Sequence, residues 1–131
     1  MEGDLRRRVV AALFVALGLS VTPATETSPH HGLGGYDVDH QITLEGTVTE
    51  FRFVNPHVHL YVDVRDKQGK VVNWTLEGSG VFYWSKAGWT ANALKRGDHV
   101  SVTLFPSKAG TPAGLLSKIG LENGRELSMG K

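Results

Sequence analysis

The fold class predicted by this sequence is all-β with one short helix, arranged as a small five-stranded barrel. Three observations predict it. From Gln41 onward apolar and polar residues alternate, the period of strands rather than helices. Turn-forming pairs recur at short spacing, among them Asn55-Pro56, Gln68-Gly69, Gly97-Asp98 and Asn123-Gly124. The 16 glycines in 131 residues suit a chain of many tight turns. That length allows one small domain, and 40% hydrophobic content is ordinary for a globular core.

In the first strand Ile42, Leu44, Gly46 and Val48 share one face, and Thr43, Glu45, Thr47 and Thr49 the other. Phe51 and Phe53 continue the apolar set shifted by one residue, which predicts a bulge near Thr49–Glu50. Asn55-Pro56 ends that strand. Val58, Leu60, Val62 and Val64 are the apolar stripe of the second strand, and Val72, Trp74 and Leu76 that of the third. Between these two, Asp66-Lys67-Gln68-Gly69 supplies a hairpin turn. Val81 to Ala87 suits a short helix with Gly88 at its C′ position. Thr90 can cap a further turn through Leu94. Val100, Val102 and Leu104, closed by Pro106, make the fourth strand, and Leu115 to Leu121 the fifth. A turn at Asn123-Gly124 then leads into a short tail. The order β1-β2-β3-α-β4-β5 is that of an OB-like barrel. The alternative is a β-sandwich, which ordinarily has about seven strands.

The segment before this domain reads differently. Arg6, Arg7 and Arg8 precede an apolar run from Val9 to Leu19, the layout of a secretory signal peptide. The run is shorter than the roughly 20 apolar residues that span a bilayer. Residues 1–24 are therefore expected as a signal, cut after Ala24 or after Ser20. Residues 25–40 are expected as a flexible lead-in carrying His30 and His31, and 41–131 as the barrel domain. The expected location is periplasmic or secreted, with no stable membrane anchor once the signal is removed.

Composition excludes several function classes. With no cysteine, disulfides, zinc fingers, iron–sulfur clusters and thiol catalysis are ruled out. The formal charge is +1, and losing residues 1–24 removes three arginines against Glu2 and Asp4, leaving a neutral chain. Neutrality argues against a nucleic-acid partner, which needs clustered Lys and Arg. There is no Gly-x-Ser-x-Gly elbow, phosphate loop or dinucleotide fingerprint, so no enzyme is expected. A monomer is expected, with a metal ion or an envelope protein as candidate partner.

The hairpin stripes set which side chains share the outer face. If Val58, Leu60, Val62 and Val64 point inward, then His57, His59, Tyr61 and Asp63 point outward. The pairing of 59 with 77, 61 with 75 and 63 with 73 satisfies both strands, whereas a slip by one residue would bury charges. His59 then opposes Glu77, with His57 two residues along the same face. Two imidazoles and a carboxylate in that arrangement suit copper or zinc. The alternative is an exposed cross-strand His–Glu pair without a metal. His30 and His31 are further candidate ligands, whereas His40 and His99 read as solvated. Phe82, Tyr83, Trp84 and Trp89 read either as a plug for the barrel end or as a ligand platform. Asn55, Tyr61 and Trp89 are the candidate interaction residues.

Several stretches together resemble one family. They are His30-His31, Tyr36-Asp37, Leu44-Glu45-Gly46-Thr47-Val48 and Val54-Asn55-Pro56-His57-Val58, then Asn73-Trp74, Glu77-Gly78, Gly88-Trp89-Thr90 and Leu94-Lys95-Arg96-Gly97-Asp98. Their order is similar to that in the small exported bacterial proteins of the domain of unknown function 6152 family, over about Pro29 to Leu127. The resemblance implies an exported, mostly β protein without an established activity. It singles out His30, His31, Asn55, Pro56, His57, Trp74, Glu77, Gly88 and Trp89, and raises His57 and Glu77 above His59 as site candidates.

Overall fold

Six strands and one short helix make up the computed structural model, which describes residues 32–128. The strands are β1 (Ile42–Arg52), β2 (His59–Arg65), β3 (Val71–Glu77), β4 (His99–Pro106), β5 (Ala113–Leu121) and β6 (Glu126–Ser128). Helix α1 (Val81–Lys86) lies between β3 and β4. Neighbours pair in the order β3-β2-β1-β4-β5-β6, and a parallel pairing of β3 with β5 closes the first five into a barrel. Closure removes the sheet edges a sandwich would leave open. Strand β6 was not foreseen; it turns the expected tail back along Lys118–Gly120 of β5. The expected signal peptide lies outside the described residues.

Alternation along the strands produces the core. Val48, Leu60, Val62, Leu76, Val102, Leu104 and Ile119 are fully enclosed, one or more from each barrel strand. The bulge falls where the shift of Phe51 required it, between Val48 and Glu50. Val48 is then held from outside the sheet. Its N–H donates to the Asp98 carbonyl and its carbonyl accepts from Gly97 N–H, both at 2.8 Å. A second bulge lies in β5, where Thr103 pairs with Lys118 and Leu104 with Leu116, leaving Ser117 unpaired.

Helix α1 closes one end of the barrel through Trp84, which is 0% exposed, with its ring centre 5.6 Å from that of Phe51 in a tilted contact and 5.8 Å from that of Trp89 edge to face. Its indole N–H donates to the Ser79 carbonyl at 3.1 Å. Gly88, at φ 78°, takes the left-handed C′ conformation that ends the helix. The four aromatics of this region therefore divide. Trp84 and Trp89 plug the barrel, whereas Phe82 and Tyr83 stay exposed.

Part of the expected lead-in is docked. A 3₁₀ turn at Leu33–Gly35 precedes a bridge between Tyr36 and Ser107. Asp37 N–H donates to the Pro106 carbonyl at 2.9 Å, and Lys108 N–H donates to the Gly35 carbonyl at 3.0 Å. These bonds lay residues 35–37 along the end of β4.

Candidate functional site

The register of β2 on β3 is the one the apolar stripes demand: His59 opposes Glu77, Tyr61 opposes Thr75 and Asp63 opposes Asn73. Leu60 and Leu76 point into the core on the other face, so a slip of either strand would expose them. Glu77 ends β3 beside the β1–β2 connection, which carries the cis Asn55-Pro56 bond and then His57. Val58 anchors that connection. It is fully enclosed, its N–H donates to the Ser79 carbonyl at 3.1 Å, and its carbonyl accepts from Gly78 N–H at 2.8 Å. His57 is thereby fixed next to the end of β3.

Three side chains meet there. His57 Nδ1 hydrogen-bonds Glu77 Oε1, and the Tyr36 hydroxyl donates to Glu77 Oε2 at 3.2 Å. The Glu77 side chain is 13% exposed and that of His57 39%, so the carboxylate lies beneath the imidazole. Burial, and then the charge of Glu77 and the bond to it, push the Tyr36 phenol above its ordinary range.

His59 lies on this face but apart from the cluster, its ring stacked with that of Tyr61 at 6.5 Å. Arg52 crosses from β1, with its guanidinium 5.1 Å from the Tyr61 ring centre and its Nε 2.6 Å from Glu50 Oε1. That bond lowers the Glu50 carboxyl below its usual range and raises Arg52. Among the described residues, no three His, Asp or Glu side chains converge as a metal-binding group. His30 and His31 lie outside the described residues.

The other sequence-derived candidates take structural places. Trp89 is 1% exposed, so it offers no face to a partner; the Arg125 guanidinium covers its ring at 4.9 Å. Asn55 Oδ1 accepts the Val81 N–H at 3.1 Å and so caps α1 from a neighbouring loop. His40 pairs with Asp37 at 3.0 Å, which lowers the Asp37 carboxyl, and His99 bonds Thr47 Oγ1 at 3.2 Å. Tyr36 is the site residue that sequence reasoning named only within the Tyr36-Asp37 stretch of the family resemblance, without giving it a role.

A closed five-stranded barrel with a polar cluster where the β1–β2 connection meets the end of β3 defines a protein of the OB-like class. Residues 19–117 match the family of unknown function DUF6152, and the chain belongs to that family. No curated protein matches the chain. Among solved structures it is similar to a crystal structure of the mitochondrial single-stranded DNA binding protein Rim1 from S. cerevisiae. The TM-score is 0.50 at 10% identity, covering 63% of this chain and 93% of that one. A selenomethionine-labelled crystal structure of Rim1 gives a TM-score of 0.47 at 11% identity, covering 70% and 97% respectively. At such identity the likeness concerns the fold.

Proposed function

We propose that this protein is an exported binding module that takes a transition-metal ion, copper or zinc, at His57. The observation that carries the reading is the His57–Glu77 pair, an imidazole whose Nδ1 is held by a carboxylate while its ring stays partly open to solvent. Imidazole suits copper and zinc, and a ligating histidine commonly gives its second ring nitrogen to such a carboxylate. OB-type barrels take ligands on the β2–β3 face between the β1–β2 and β4–β5 connections, which is where this cluster sits.

His59 is the second ligand in this reading, and His30 or His31 the third. A monomeric state belongs to the same proposal, as do export and removal of residues 1–24, which the basic and apolar pattern of Arg6 to Leu19 supports. Calorimetric titration of Zn²⁺ or Cu²⁺ into the protein and into His57→Ala tests it. Saturable, near-stoichiometric binding lost in the variant is expected. Equal, negligible heats in both overturn the reading.

A second reading has its own observation. Phe82 and Tyr83 are 64% and 66% exposed and touch each other edge to face, with ring centres 5.5 Å apart. Contiguous exposed aromatics suit docking to another envelope protein. This reading expects metal-independent stability, and loss of partner binding in Phe82→Ser and Tyr83→Ser with an unchanged melting temperature.

A further inference from the structure

We propose that Glu77 and Tyr36 are positioning residues for His57 and do not themselves hold the ligand. This inference rests on the metal reading above and assigns roles within the same site. A carboxylate accepts hydrogen bonds and has none to give. The Glu77 oxygen facing His57 Nδ1 therefore requires the proton on Nδ1, and the lone pair of the neutral ring falls on Nε2. Tyr36 takes the other oxygen. With both oxygens engaged and only 13% of its side chain exposed, Glu77 is set up to orient the imidazole, not to enter a coordination sphere.

Tyr36 can hold that carboxylate because its own backbone is fixed. It bridges Ser107, and the following residue, Asp37, donates to Pro106 at 2.9 Å. The connection between β4 and β5 is thereby linked to His57 through one phenol and one carboxylate. The ion meets a single pre-oriented nitrogen, and the two residues behind it govern how well that nitrogen is presented.

The test uses the full chain and has two independent readouts. Long-range ¹H–¹⁵N spectra without metal report the His57 tautomer, and competition with a chromophoric chelator reports Zn²⁺ affinity. The proton is expected on Nδ1 in the wild type, and on Nε2 for a substantial fraction of molecules in Glu77→Ala. Zn²⁺ affinity is expected to fall about 10- to 100-fold in Glu77→Ala, the usual effect of losing an outer carboxylate. Tyr36→Phe, which keeps the ring, is expected to fall several-fold and to remain folded.

A wild-type His57 protonated on Nε2 overturns the proposal. So does unchanged affinity in both variants, or a Glu77→Ala loss as complete as that of His57→Ala with the tautomer unaltered, which would make Glu77 a ligand. A wild type with the Nδ1 proton that takes no Zn²⁺ overturns the metal reading alone and upholds the positioning of His57.

Discussion

At the residue scale, the Tyr36 hydroxyl joins the segment before the barrel to the end of β3. Burial and the Glu77 carboxylate both disfavour its phenolate, so the fold holds that proton more tightly than the unfolded chain does. The resulting stabilisation is complete below the ordinary phenol pKa and is lost as pH rises through the raised one. Spectrophotometric titration of the three tyrosines at 295 nm is expected to show a late-ionising component that Tyr36→Phe removes. If the variant instead loses amplitude in the ordinary phenol range and keeps any late component, the Tyr36 phenol is in solvent. Asp37 behaves oppositely. The bond from His40 lowers its carboxyl, so that contribution is present above the usual carboxylate range and is lost as pH falls through the lowered value.

At the element scale, one contact lies beside His57 and another sets how closely β1 and β2 approach. Asn55 caps α1 across the β1–β2 connection, and Asn55→Ala is expected to cost about 1 kcal/mol, read from denaturant midpoints. Gly46 lies on β1 where a side chain has no room, since a Cβ there would stand 2.6 Å from the Asp63 carbonyl oxygen. Gly46→Ala is accordingly expected to destabilise by about 1–3 kcal/mol, through overpacking and a shifted strand. Amide spectra should place the largest changes along β2. A stability equal to wild type would show that β1 and β2 can separate at no cost. Much at this scale was legible in the sequence: the displaced Phe51 announced the first bulge, and the hairpin stripes fixed the register of His59 on Glu77. The β5 bulge was legible in principle, because Leu116 and Ile119, three residues apart, are both buried and break strict alternation.

At the scale of the whole molecule, the barrel is held by one core to which every barrel strand contributes, with Trp84 and Trp89 closing one end. Trp84→Ala would remove a fully enclosed indole that Phe51, Phe53 and Trp89 all contact, together with its bond to Ser79. The expected cost is about 3–5 kcal/mol, enough to threaten a small domain, measured as a large drop in melting temperature. The Phe82→Ser variant, two residues away on the exposed side, is expected to melt within a few degrees of wild type. Equal losses in the two would contradict the division of the aromatics into plug and surface.

The sequence by itself determined the five barrel strands, the helix and its glycine stop, the barrel order, and the outward face carrying His57, His59 and Glu77. Each of these follows from the two-residue strand period or from the backbone freedom of a turn residue, which are local properties. Only the tertiary structure decided that Glu77 turns to His57 and Tyr36, that Trp89 is core, and that Asn55 caps a helix 26 residues on. The physical reason is that hydrogen bonds and burial depend on distances between segments far apart in the chain. Periodicity tells which face a residue is on; barrel closure chooses which neighbour it meets.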